Sequence, residues 1–252
     1  MSTPSAERAT PPSRTLDNEL QIGLLLYPGL TQLDLTGPLE VFTRLPDTRV
    51  HLIWKDLAPV AADRGLQLLP NATFDDCPRL DVLCVPGGPG QIELMNDSTT
   101  LGFLRRAAED CRLLTSVCTG SLLLGAAGLL DGYRATCHWA SLDQLELLGA
   151  RPVAQRVVRD RDRITGAGVT SGIDFALSVA AELHGSVIAQ DIQLQMEYSP
   201  RPPYRSGSPL TAPSALVRAS LERQAGFLAY RRAATERAAQ RLTRREWVGV
   251  ST

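Results

Sequence analysis

The sequence predicts an α/β fold in which a mainly parallel sheet is sandwiched between helices. Two patterns carry that prediction. Short, unbroken apolar runs recur along the chain, as expected of parallel strands buried on both faces. Helical stretches separate them, and strand–helix alternation is the mark of βα units. The 252 residues suffice for one large domain with a substantial core. No internal repeat or second core is visible, so one domain is assigned to residues 21–242, between an N-terminal extension 1–20 and a tail 243–252.

The elements follow in order. QIGLLLY (21–27) is the first buried strand. In the following PGLTQLDLTGPLEVF, Thr36 or Gly37 before Pro38 reads as a helix start, with Pro38 at an early helical position. RVHLIW (49–54) is a second strand, and APVAADRGLQLLP is hairpin-like. DVLCVP (81–86) is a third strand and opens into the turn PGGPG. Residues 98–109 form an amphipathic helix, RLLTSV (112–117) a fourth strand, and SLLLGAAGLL an apolar helix. HWASLDQLELLG (138–149) reads as helical, VAQRVVRD and RDRITGAG as a strand pair, and 170–184 and 186–197 as consecutive helices. SPRPPYRSGSP is a loop or linker. From Thr211 to about Leu242 the pattern is helical and basic. Eight arginines against three glutamates between Thr211 and Thr252 favour a solvated face or a helix packed on a partner subunit over a nucleic-acid surface.

Composition excludes several classes. A formal net charge of -1 gives no global field for nucleic acid or acidic membranes. No apolar run reaches the roughly 20 residues needed to span a bilayer. The polar N-terminus lacks the apolar core of a signal peptide and reads as a disordered extension. Five cysteines, an odd number without an export signal, point to reduced thiols in the cytoplasm. With neither CxxC nor HExxH, and only His51, His138 and His184, no zinc site is expected. The single lysine, Lys55, is a poor Schiff-base candidate.

Three segments carry the chemistry. TSVCTGSLLLG (115–125) ends a β-run at Cys118 and enters a helix through small residues, which is the pattern of a nucleophile elbow. The helix N-terminus should lower the thiol pKa there. The plain alternative is one more inert buried cysteine. Pro86-Gly87-Gly88-Pro89-Gly90 follows a strand, where α/β sheets place ligands, and its glycines allow backbone N–H groups to approach an anion. The alternative is a tight turn. No phosphate loop is present: GxxxxGK[ST] is missing, and Gly166-Ala167-Gly168 runs on to Ser171 where a third glycine belongs. Asp34, just after the first strand, is either an acid/base partner for a thiol or a helix cap.

An acidic residue after strand one, a PGG turn and a cysteine elbow together resemble the ThiJ/PfpI superfamily. LDLTGP, HLIWK, LDVLCVPGG, TSVCTGSLLLGAAGLL, RATCHWA, GIDFALSVAAEL, QLQMEYSPRPPY and GSPLTAP resemble the isonitrile-hydrating members nearly in order. The resemblance implies a flavodoxin-like sandwich, a homodimer, no cofactor, and cysteine-dependent conversion of an isonitrile, R–N≡C, to an N-substituted formamide. It implies Cys118 as nucleophile, Asp34 as acid and base, and Thr119 beside them. Gly87 and Gly88 of the turn, together with His138, are implied to contact substrate, with Gly88 and the Thr119 N–H as backbone donors. Protease members carry histidine directly after the elbow cysteine; here Thr119 stands there, which disfavours a Cys-His peptidase. Two alternatives within the superfamily are a ligand-sensing domain without catalysis and a glyoxalase-type hydratase.

Overall fold

The computed structural model describes residues 19–244. Seven strands form the central sheet: β1 (Leu20–Leu25), β2 (Thr48–Trp54), β5 (Ala72–Thr73), β6 (Val82–Val85), β7 (Leu113–Val117), β10 (Val157–Asp160) and β11 (Arg163–Gly166). Their order is β10-β11-β7-β6-β1-β2-β5. All neighbours run parallel except β10 and β11, which are antiparallel. The mainly apolar strands β1, β6 and β7 occupy the centre, and apart from Leu20 and Gln21 their residues are buried. The expected strand pair is thus present, and its second member extends the main sheet. The hairpin-like stretch is the small antiparallel pair β3 (Val60–Ala61) and β4 (Gln67–Leu68). A second small pair joins β8 (Arg134–Ala135) to β9 (Arg151–Pro152).

The layers are helical: α1 (Gln32–Phe42), α2 (Gln91–Leu94), α3 (Ser98–Asp110), α4 (Gly120–Ala126), α5 (Gln144–Leu147), α6 (Ser171–His184), α7 (Ser186–Gln195) and α8 (Ser214–Arg244). Three boundaries differ from the sequence reading. First, α1 begins at Gln32, ahead of Thr36, so Pro38 lies inside the helix. Its ring packs where Gly172 of α6 leaves room, so tertiary packing overrides the first-turn preference of proline. Second, the expected helix 138–149 is broken into a 3-10 turn, Trp139–Ser141, and the single turn α5. His138 caps the first through Nδ1, which accepts from Ala140 N–H at 3.3 Å, and Ser141 turns its hydroxyl to α8. Third, Leu20 already belongs to β1, and α8 runs through Thr243 and Arg244, so the expected extension and tail are shorter there. Their remainders, 1–18 and 245–252, lie outside the described residues.

Sheet order positions the site. The loop after β1, the PGGPG turn after β6 and the elbow after β7 leave three adjacent central strands at their carboxyl ends, where open α/β sheets gather ligands.

Candidate active site

Cys118 is the first residue beyond β7, with φ of 57°, a left-handed conformation that a non-glycine residue adopts only under strain. Its N–H donates to Gly166 O at 3.0 Å, which ties the elbow to β11. Behind it, Ser121 Oγ donates to Thr136 O at 2.6 Å and takes a bond from Ser116 Oγ at 2.8 Å. These buried hydroxyls join β7, α4 and the segment after β8. Gly120 is required by close approach: a Cβ there would stand 2.1 Å from Val85 O.

The other two loops are laced together by backbone bonds. Thr31 N–H donates to Gly87 O at 2.9 Å, and Gly90 N–H to Gly29 O at 3.1 Å. The buried Tyr27 hydroxyl donates to Pro86 O at 2.8 Å and fixes the start of the turn. Asp34 lies in the first turn of α1, fully buried. Its Oδ2 accepts from Gly87 N–H at 2.9 Å, while Oδ1 has no partner among the described residues. The carboxylate therefore does not cap its own helix; Thr31 is the cap position. Gly88 N–H donates to Thr119 Oγ1 at 3.1 Å, so this amide is engaged within the site and would have to leave Thr119 to reach an oxyanion. Gly87 also leaves no room for a side chain: a Cβ would lie 2.5 Å from Thr119 N and 2.8 Å from Asp34 Oδ2.

The electrostatics are those of a buried site. Burial pushes the Asp34 carboxyl up to about 7, against the pull of the Gly87 N–H and the neighbouring Cys118 thiol. Cys118 is itself pushed well above the usual thiol range, first by burial and then by Asp34. The Thr119 N–H acts in the lowering direction that the sequence argument expects of a helix start, but burial outweighs it. Cys77, Cys84, Cys111 and Cys137 are also raised by burial, to about 11 or 12. What separates Cys118 from them is position: it alone combines the elbow with a neighbouring buried carboxyl raised to about 7. His138 is pushed down to about 4 by burial and by the Arg231 guanidinium, and its Nδ1 is already occupied by Ala140 N–H, so it is neutral at pH 7. A cavity of about 410 Å³ opens beside it, lined by His138, Trp139, Leu142, Gly168, Val169 and Leu210 among others.

The structure thus brings together Asp34, Gly87, Gly88, Cys118 and Thr119, with His138 on a flanking segment. Sequence reasoning missed Tyr27, Gln91 and Arg231. Tyr27 carried a signal, as the one polar tip at the end of an otherwise aliphatic run. Arg231, from a helix more than a hundred residues downstream, carried none.

Comparison with known proteins places this site in context. The DJ-1/PfpI family pattern matches residues 21–182. The chain is 59% identical over 226 residues to the isonitrile hydratase of Pseudomonas putida, covering 90% of this chain and 99% of that one. It is 34% identical over 72% of its length to the HTH-type transcriptional regulator GbdR of Pseudomonas aeruginosa and spans about half, 51%, of that protein. Among solved structures, a ThiJ/PfpI family protein from Pseudomonas syringae aligns with a TM-score of 0.84 at 47% identity, over 86% of this chain and 90% of that one.

Proposed function

We propose that this chain, which belongs to the DJ-1/PfpI family, hydrates isonitriles to N-substituted formamides through a thioimidate on Cys118. The observation that carries this reading is the Asp34–Cys118 pair: a buried carboxyl, raised to about 7 and with Oδ1 unengaged, beside a strained elbow thiol. A 59% identical isonitrile hydratase supports the substrate class.

The chemistry needs one group that gives a proton and then takes one. Asp34 carboxylate accepts the Cys118 proton, and the thiolate attacks the terminal isonitrile carbon. Asp34 returns that proton to the same carbon, which leaves R–N=CH–S–Cys118. The carboxylate then takes a proton from water as it adds to the thioimidate carbon and passes that proton to the nitrogen. As the R–NH–CH(OH)–S–Cys118 intermediate collapses to R–NH–CHO, the carboxylate takes the hydroxyl proton and returns it to the expelled Cys118 thiolate. A pKa near the working pH suits both duties. Gly87 N–H holds the carboxyl in place, and Thr119 Oγ1 holds Gly88. No residue in this scheme calls on a metal, and no group of three His, Cys, Asp or Glu that could hold one occurs among the described residues.

The five cysteines are unpaired, which supports a reducing cytoplasm, and no described helix is long and apolar enough to cross a membrane. A homodimer is part of the same proposal, supported by large apolar side chains left exposed on α8.

The test is formamide production from a simple alkyl isonitrile by the purified protein, with Cys118→Ser inactive and an adduct of protein plus isonitrile mass trapped on Cys118. Absence of formamide would overturn the hydratase reading. A methylglyoxal assay and a DNA mobility shift run beside it separate the glyoxalase-type and sensor alternatives.

A further inference from the structure

Three charged side chains are buried among the described residues: Asp34, Arg163 and Arg231. Arg163 has a carboxylate partner, Asp162, at 2.7 Å. Arg231, 6% exposed on α8, has no carboxylate partner among the described residues. Its Nε donates to Gln91 Oε1 at 3.1 Å, its Nη1 donates to Ser141 Oγ at 3.1 Å, and its guanidinium lies 4.5 Å from the centre of the Phe227 ring. The nearby carboxylates are engaged elsewhere: Glu93 accepts from Tyr230, and Asp143 pairs with Arg232.

The two acceptors are placed tellingly. Gln91 opens α2 directly after the PGGPG turn, and Ser141 ends the 3-10 turn that His138 begins. One guanidinium therefore joins the C-terminal helix to both segments that frame the elbow. A buried cation held by neutral acceptors keeps its charge uncompensated, and such a charge favours an anion nearby. Its charge acts on Cys137 first and then on Cys118 and Tyr27; at the Cys118 thiol itself burial, Asp34 and Cys137 weigh more than it does.

We propose that Arg231 is a positioning residue of the Cys118 site, a fixed positive charge clamped by Gln91 and Ser141 that supports the anionic form of the thiol. This deepens the hydration reading and rests on it for the consequence in turnover. The effect on the thiol itself is readable with no isonitrile present. Other groups acting on Cys118 are Asp34 from α1, Cys137 after β8, and the Thr119 N–H at the start of α4; Tyr27 and Asp63 act on Asp34 or beside it. None of these changes in the variants below.

The experiment measures the rate of Cys118 carbamidomethylation by iodoacetamide, mass-mapped from pH 6 to 10, in the full chain and three folded variants. Removing the charge raises the thiol pKa, so the Arg231→Met curve should move to higher pH, with labelling at pH 7.5 slower on the order of tenfold for a one-unit move. Gln91→Glu retains the guanidinium but gives it a carboxylate, and should move the curve in the same direction. Arg231→Lys retains a cation and should stay near wild type. Gln91→Glu keeps the test decisive if Arg231→Met does not fold. The proposal is overturned if Gln91→Glu leaves the wild-type curve in place, or if Arg231→Lys falls as far as Arg231→Met, since shape and not charge would then be at work. With an isonitrile, the charge-removing variants should lower kcat and leave KM unchanged. A shifted labelling curve in a protein without isonitrile turnover would uphold the role of Arg231 and sink the hydration reading alone.

Discussion

Asp34 is neutral in the folded protein up to about pH 7, while the same carboxyl ionises near 3.8 in an unfolded chain. Folding therefore costs more as pH rises between those values, and the penalty is complete above the upper one. Over roughly three pH units at about 1.4 kcal/mol each, the penalty is of order 4 kcal/mol. Asparagine carries no such penalty and can still accept the Gly87 N–H. Asp34→Asn should thus melt higher than wild type at pH 8 and close to it at pH 4.5, as thermal unfolding at the two pH values will show; equal differences at both would place the charge elsewhere. The same variant should lose formamide production by on the order of 10²–10⁴-fold, because it cannot move the proton. A more stable and less active protein is the signature of a site that holds an ionisable group where water is scarce. Near-wild-type turnover by folded Asp34→Asn would reduce Asp34 to a structural residue.

At the scale of elements, the site depends on how closely three loops approach. Gly87 is the tightest point, wedged against the Thr119 amide and the Asp34 carboxyl. Gly87→Ala forces that backbone apart, so it should lower stability by about 1–3 kcal/mol and lower activity far more than a distant substitution of equal cost; an active, normally stable variant would show that the loops yield at this contact. This contact also marks what could be read from sequence. The elbow around Cys118 and the PGG turn are legible because each follows an apolar run, and adjacent parallel strands align their carboxyl ends; Asp34 is legible only as a residue near them, since its spacing reads as well as a helix cap. The start of α1 was not, because proline's local preference yields to packing against Gly172, which no local pattern encodes. The helix expected over 138–149 failed for a similar reason. His138 and Ser141 have better partners outside a regular helix, Ala140 N–H for one and Arg231 for the other. Arg231 reads as one more residue of a basic helix until the fold brings that helix over the site.

The whole molecule is asymmetric in how it uses α8. The second half of this 31-residue helix is docked: Ala234, Thr235 and Ala238 are buried, Thr235 Oγ1 donates to Gln144 Oε1 at 2.8 Å, and Arg241 donates to Asn96 Oδ1 at 2.6 Å. The first half leaves Leu216, Leu221 and Phe227 exposed, beside Leu210 in the preceding loop. Apolar side chains grouped on one projecting helix are costly in water and mark a surface that another surface covers. Under the proposed homodimer, a second copy of this chain is that cover. Light scattering at micromolar concentration should therefore give twice the 27.3 kDa chain mass. Leu216→Asp combined with Leu221→Asp introduces charge into that surface without touching the docked half, Phe227 or the Arg231 contacts, so it should yield a folded monomer. A wild-type monomer would refute the dimer outright. A double variant that remains dimeric would move the interface to another face, since two buried aspartates facing their symmetry mates would each lose hydration and repel.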